Sequence, residues 1–482
     1  MKFQDVLNIK DSKLLAAKLE ELTSFKSSEV DQYIKQYSGK HKILNKANKQ
    51  IKNDTNRPEE NFSNIPGETS ILSGENVRAE SKIVLTAKNV FNIQKVITEY
   101  GMMFLFGSPV RIMKTDGEDS TQEAFKAFKK LWKKTKCDSL NMKITREMKI
   151  KTNAIEQWFY DAEKKKLRVG MFSYPNSEIT PIFDNYGDLI SIIRKYSLPG
   201  EVGKSLTAFE VLTETEYIYV IQTREGFTVE KTKHGLGKIP SVYWCQPEPD
   251  WKDVQGLIDR LEDSSSGHSD TNDYNVDPVL GLDDSVLNMP DKGQSGKVLT
   301  FNQDNNESKR KISDMAAFIQ WDQSIDSMKY EHELLQDFIN KITFTPDVTP
   351  DKLKSLSNVS AVGIEMLFFN ALLKAKRSWE EQINEYMDRR ASILKEFMKI
   401  MPEYKKLGAD VIDRLEIDFE MTSVLPKNIT EIINNVASLR PGKLLASTET
   451  AVGLLPYETD TEAETEKIKE EESSTPAESY NL

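Results

Sequence analysis

Apolar residues recur at helical spacing near the start of the chain, at Leu14, Leu15, Leu19 and Leu22 and again at Val30, Tyr33 and Ile34. This spacing predicts two short amphipathic helices within residues 1–44. Over 45–80 the periodicity gives way to Asn, Pro, Gly and charged residues, the composition of an arm or loop with little core of its own. Helical periodicity resumes over 83–106 and from Gln122 to Trp132, where Phe125, Phe128, Leu131 and Trp132 share one face. The intervening FGSPV reads as a turn.

Between Ala154 and Trp244 the pattern shortens to β-rich runs, QWFY, LRVGMFSY, YIYVIQT and FTVEK, separated by Asn, Gly, Pro and charged turns. These runs predict a mostly antiparallel β region. Pro247 and Pro249 then punctuate the chain, and Trp251, Val254, Leu257, Ile258 and Leu261 form a helical stripe behind Asp250, which is expected to cap it. Because SSSGHSDTND is a poor helix former, local propensity ends this helix near Asp263.

From Val276 to Trp321 the runs VLGL, GKVLTF and AAFIQW predict a compact β insertion. A helix returns with Ile325, Met328, Leu335, Phe338, Ile339 and Ile342 and stops at TFTPDVTP. Beyond Pro346 and Pro350 lies the longest periodic segment, from about Ser360 to Met401, with Leu367, Leu372, Trp379, Ile383, Met387, Leu394, Phe397 and Met401 among its apolar positions. At about 1.5 Å per residue such a helix approaches roughly 60 Å and needs a partner for its stripe. A strand-like LEIDFEM, helices near Ile429–Leu439 and 443–455, and an acidic tail from Glu462 complete the pattern.

Composition narrows the classes of function. The chain has 482 residues, 38% of them hydrophobic, and a net charge of -11, so its bulk surface repels phosphate and a freely binding nucleic-acid protein is disfavoured. Two cysteines without neighbouring thiols and a polar start, MKFQDVLNIK, point to synthesis in a reducing cytoplasm. The richest apolar run, Ala361 to Ala375, is broken by Glu365, Asn370 and Lys374, so no membrane span is expected.

Candidate chemistry is sparse. LPGEVGKS has the residue types of a phosphate-binding loop, but only two residues separate Gly200 from Gly203 and Leu198 stands where the first glycine belongs, so it reads as a polar loop. His41, His234, His268 and His332 lack metal-ligand spacing. The acid pairs Asp283–Asp284 and Glu380–Glu381 read as solvated charges, and no nucleophile-elbow motif is present. These observations predict no catalytic residue, metal or cofactor. Two basic clusters, Lys352 with Lys354 and Lys309 with Arg310 and Lys311, are either solvated surface or contacts to phosphates or an acidic partner. Without interleaved aromatics, any DNA contact there is independent of sequence.

The order of segments resembles the portal family related to that of siphophages of Gram-positive hosts. The similarity is carried by YSGKHKIL (37–44), FLFGSPV (104–110), PIFDNYGDLISIIRKYS (181–197), GKIPSVYW (237–244) and NVSAVGIEML (358–367), and by VLPKNITEIINNVASL followed by ETAVGLLP and an acidic run. The resemblance implies an α+β portal fold with wing, stem, clip and crown regions, a long wing helix, and a β-rich wing and clip. It divides the chain into N-terminal helices (1–44), a polar arm (45–80), wing (81–249), first stem helix (250–275), clip (276–322), second stem helix (323–342) and tunnel loop (343–359). The long wing helix (360–404), wing return strand (405–425), crown (426–460) and acidic tail (461–482) follow.

It further implies a non-enzymatic ring, usually of twelve subunits, at one capsid vertex of the virion, through which double-stranded DNA is packaged and ejected. Lys352 and Lys354 become channel-loop candidates, and Lys292, Lys297, Lys309, Arg310 and Lys311 become candidates for docking a partner at the clip. The implied partners are terminase, head-completion or adaptor proteins, and major capsid and scaffold proteins. The polar SSSGHSD run and the Pro-rich CQPEPDW depart from the expected stem. A virion or scaffold-binding assembly protein without a DNA channel is the competing expectation.

Overall fold

The computed structural model describes residues 3–23, 27–47, 49–51, 82–84, 86–199, 205–224, 226–276, 279–282, 316–319, 325–347 and 361–422, together with Thr465, Lys467 and Ile468. Near the N-terminus, α1 (Phe3–Leu7) and α2 (Ser12–Leu22) precede α3 (Ser27–Tyr37). Asp11 caps α2, its carboxylate accepting the Lys13 and Leu14 N–H groups at 2.9 and 3.4 Å.

Strands β1 (Lys49–Ile51) and β2 (Lys82–Val84) pair antiparallel across the polar arm. Residues 83 and 84, read from the sequence as the start of a helix, are therefore in a strand. The helix itself, α4 (Ile93–Phe106), begins after Asn92. It is followed by β3 (Arg111–Lys114) and α5 (Gln122–Thr135), which buries the expected face of Phe125, Phe128, Leu131 and Trp132. A helix absent from the sequence reading, α6 (Cys137–Lys151), follows at once, the two joined through Lys136 in the left-handed region (φ 56°). Its polar residues hide the apolar period, because Asn141, Thr145 and Lys149 are buried along with Leu140, Ile144 and Met148.

The β region forms two antiparallel sheets. One has the order β11-β4-β5, from β4 (Asn153–Asp161), β5 (Lys166–Phe172) and β11 (Ser241–Cys245). The other is a five-stranded meander of β6 (Ser177–Phe183), β7 (Leu189–Pro199), β8 (Ser205–Leu212), β9 (Glu216–Gln222) and β10 (Phe227–Lys233). Ile155 of the first sheet packs with Ile179, Ile192 and Leu212 of the second. On its other face the meander buries Ile193, Phe209, Val211 and Val220 against Leu7, Leu15 and Leu19 of α1 and α2. Each helix thereby finds the sheet face that its apolar stripe needs.

After a 3-10 turn, α7 runs from Gln255 to Val276, past the Asp263 end that propensity suggests. Asp250 does not cap it: Trp251 stands at the N-terminal boundary, and the Asp250 carboxylate is engaged elsewhere. Strands β12 (Val279–Leu282) and β13 (Ala316–Ile319) pair antiparallel, as expected for the base of the β insertion. Helix α8 (Ile325–Thr343) returns alongside α7, with Leu335 and Ile339 meeting the Trp251, Val254, Ile258 and Leu261 stripe.

The longest periodic segment is one continuous helical rod, α9 (Ala361–Ser378), a π turn (Trp379–Ile383) and α10 (Asn384–Ile400). α9 packs on α4, and α10 on β11 and on β14 (Ile417–Glu420), which lies beyond α11 (Ala409–Arg414) and pairs with β3. The rod crosses the largest core, where Trp379, Ile383, Met387, Leu394 and Phe397 meet Phe104, Phe128, Trp132 and Trp244. The π turn adds one residue and so resets the face presented by α9 relative to α10, with Trp379 and Ile383 buried at the joint. The LEIDFEM strand stands as expected; the helices read near Ile429–Leu439 and 443–455 lie outside the described residues.

Candidate functional site

The α7–α8 hairpin and its junction with α9 gather the features that the local packing does not use up. α7 carries SSSGHSD through its middle, and this polar face is covered by the extended segment 86–91. Asn89 N–H donates to Ser266 Oγ at 2.9 Å, and its side-chain amide donates to Ser265 Oγ at 3.0 Å and Ser269 Oγ at 2.8 Å. Ala87 N–H donates to Asp270 at 2.6 Å and Phe91 N–H to Glu262 at 2.9 Å. Tertiary hydrogen bonds thus offset the poor helix propensity of the serine run.

Beneath this strap, His41 Nδ1 lies 2.5 Å from Glu262 Oε1 and His41 Nε2 lies 2.7 Å from the Gln36 carbonyl. Both neighbours of the ring are acceptors, so the ring satisfies both only as a doubly protonated imidazolium. Burial alone would lower its pKa, but the hydrogen bonds to Glu262 and Gln36 and the charges of Glu262 and Asp259 leave it raised. The His41 and Glu262 side chains are buried, at 0% and 1% exposure.

On the other side of the hairpin, α8 is tied to α7 by polar contacts. Arg260 Nε donates to Glu331 at 2.8 Å, and His332 Nε2 lies 3.1 Å from Ser264 Oγ. Four of its large apolar side chains, Tyr330, Leu334, Phe338 and Ile342, at i+4 spacing, are 40 to 67% exposed. Phe344 and, on α9, Met366, Phe369 and Leu373 are exposed as well. Nothing in the chain's own described core covers this surface.

At the base of the hairpin three charges meet. Asp250 Oδ2 accepts from Lys149 Nζ at 2.8 Å and lies 3.3 Å from Lys374 Nζ, which also donates to the Thr343 carbonyl at 3.0 Å. Burial pushes the Asp250 carboxyl up, but the two ammonium groups outweigh it and hold the pKa at about 2. Burial lowers the Lys374 pKa, and Asp250 opposes that only in part. The backbone makes room through Gly101, where an added Cβ would stand 3.2 Å from Asp250 Oδ2 and 3.5 Å from Lys149 Nζ. Lys374 therefore ties the C-terminal turn of α8, and the start of the segment leading from it, to α9 and α6.

None of the basic clusters or acid pairs singled out from the sequence falls within this geometry, whereas His41, His332 and Asp250, noted there for other roles, do. Lys292, Lys297, Lys309, Arg310, Lys311, Lys352 and Lys354 lie outside the described residues, as do Asp283 and Asp284. Glu381 pairs with Arg377 at 2.7 Å on the surface. The polar loop LPGEVGKS joins β7 to β8, whose partners include Pro199 with Ser205, so the flanks form a hairpin without the helix that a phosphate loop opens. Among the described residues no three His, Cys, Asp or Glu side chains gather as a metal site. No described helix is long and apolar enough to cross a membrane.

Sequence reading missed His41, Glu262, Lys149, Asp250 and Lys374 as partners. Each is one charge in a charge-rich chain, and the separations involved, 221 residues for His41 and Glu262 and 101 for Lys149 and Asp250, leave no local pattern.

Comparison with known proteins supplies the class of assembly in which these features sit. Among solved structures the chain is similar to one described as the neck of an empty GTA particle computed with C6 symmetry. That match has a TM-score of 0.36 and 12% identity, over 75% of this chain and 89% of that one. It is also similar to the neck of a native GTA particle computed with C12 symmetry (TM-score 0.34, 11% identity, 75% and 88% covered). A third similar chain comes from the virion of a native gene transfer agent particle (TM-score 0.34, 10% identity, 75% and 88%). No curated protein matches the chain. The family model described as "Phage portal protein, SPP1 Gp6-like" matches residues 20–476, nearly the whole sequence, and the chain therefore belongs to that phage portal family.

Proposed function

We propose that copies of this portal chain close into a ring of twelve and form an axial conduit for double-stranded DNA during packaging and ejection. The observation that carries the ring is the exposed apolar row Tyr330, Leu334, Phe338 and Ile342 on α8, with further exposed apolar side chains at Met366, Phe369 and Leu373 on α9. An exposed apolar row on a charge-rich chain calls for a covering partner, and a second copy in rotational symmetry supplies the same cover to every subunit.

In this reading α7 and α8 form the stem, the β12–β13 pair is the base of the clip, and α9 with α10 is the wing helix. Residues 343–359 lead into the channel, with Lys352 and Lys354 making weak contacts to phosphates. The crown is 426–460. The clip, with Lys292, Lys297, Lys309, Arg310 and Lys311, docks terminase and later head-completion or adaptor proteins. Major capsid and scaffold proteins surround the ring at the vertex, and assembly takes place in the host cytoplasm. The chain itself carries no catalysis, and an acidic channel wall limits adhesion of DNA.

Negative-stain electron microscopy combined with mass determination in solution tests the proposal. Closed rings with a central hole are the expected result. Filaments or solid particles would overturn it in favour of an assembly protein without a channel.

A further inference from the structure

The chain carries a net charge of -11, yet one face of it is strongly basic. Helix α5 bears Lys126, Lys129, Lys130, Lys133 and Lys134, and Lys136 closes it. The turn between β4 and β5 adds Lys164 and Lys165, and the start of β5 adds Lys166 and Arg168. Lys405 and Lys406 follow α10 in a 3-10 turn. The acids of the same segments are Glu123, Asp161, Glu163 and Glu403, so twelve basic residues face four acidic ones.

Tertiary structure brings the three segments together. α5 packs on β5, and Lys134 Nζ reaches Glu403 at 3.0 Å from one segment to the next. Lys130, Lys133, Lys136, Lys164, Lys165, Lys405 and Lys406 are all exposed. Charges more than about 10 Å away are screened at 0.1 M salt, so an approaching polyanion senses this local excess of cations and not the net charge.

We propose that this face of α5, the β4–β5 turn and the segment 402–407 is a docking surface for the phosphate backbone of double-stranded DNA, distinct from the channel. The composition favours a phosphate rod over an acidic protein. Protein interfaces are depleted in lysine and built around apolar anchors, whereas no large apolar side chain is exposed on α5, on 162–166 or on 402–407 among the described residues. The one arginine, Arg168, is held over the Phe159 ring at 5.5 Å and against Asp161 at 3.4 Å. The remaining cations are lysines, point charges suited to sequence-independent contacts. The face also belongs to a different packing cluster from the α7–α8 hairpin, so it can act whether or not that hairpin lines a channel.

The test uses the full-length protein and a covalently closed DNA minicircle, which cannot thread an axial hole, in gel-shift titrations over a range of salt. The wild type should bind, with log affinity falling linearly in log salt. The variant Lys130→Glu/Lys133→Glu/Lys165→Glu should lose at least about tenfold in affinity and reduce the salt slope by about 3, near 0.9 per lost phosphate contact. Failure of the wild type to bind at low salt, or unchanged affinity and slope in the variant, would overturn the proposal. So would preferential binding of poly-glutamate over the minicircle, which would assign the face to an acidic protein. Ring formation scored by microscopy in the same samples reports on the channel reading separately.

Discussion

Arg390 Nη2 lies 2.5 Å from Glu156 Oε2, with both side chains fully removed from solvent. Arg390 Nε donates to Glu156 Oε1 at 2.7 Å, making the pair bidentate, and Arg390 also donates to Asn141. Its guanidinium lies 5.4 Å from the ring centres of both Trp132 and Trp244. One ion pair thus connects α10 to β4 and, through the rings, to α5 and β11.

Removing one partner leaves a buried charge uncompensated. Arg390→Met and Glu156→Met should each destabilise the chain by about 3–5 kcal/mol. The double variant Arg390→Met/Glu156→Met should cost less than the sum of the two single changes at those positions. Denaturant unfolding of the unassembled protein measures both.

The His41–Glu262 pair sets a pH dependence whose sign follows from the raised folded pKa of His41. Its contribution is complete below the ordinary histidine value of about 6.5 and is lost as pH rises through the higher folded value. Amide protection factors at Asn89 and Phe91, corrected for intrinsic exchange, should fall in the wild type as pH rises through that raised value. In His41→Gln they should be low throughout and lack that titration.

Leu334→Glu with Phe338→Glu should abolish ring formation with little loss of stability in the unassembled chain, because both side chains are already exposed there, at 40% and 46%. Sedimentation and thermal melting check the two halves of this expectation.

In Gly101→Ala the contact of the new Cβ with the Asp250 carboxylate at 3.2 Å should offset the gain of about 1 kcal/mol in helix propensity, leaving the melting temperature little changed. Lys374→Met should loosen the start of the segment after Thr343, seen as faster exchange of the Thr345 amide. The Asp250 contribution, with a folded pKa of about 2, should be present above the unfolded carboxylate range and disappear as pH falls toward 2.

Lys352→Ala with Lys354→Ala should leave ring assembly intact and alter DNA packaging or genome retention in an assembly assay. Loss of rings would make the segment structural.

Sequence alone determined what short-range periodicity encodes. The α5 face, the alternating strands of the β region and the long rod through Trp379, Ile383 and Leu394 were legible because each apolar position repeats at the spacing of its element. The ordered run of family segments was likewise a property of the chain, and it pointed to the portal family that the match over residues 20–476 establishes. Tertiary structure decided the rest. α7 continues through its serines only because segment 86–91 supplies donors to them, and the start of the supposed helix at 83 becomes a strand because residues 49–51 pair with it. Asp250 faces Lys149 and Lys374, and Lys134 faces Glu403, across distances in sequence that no local pattern spans. Buried charges and polar straps depend on partners that only the folded chain brings within hydrogen-bonding distance, whereas apolar periodicity depends on the element's own geometry.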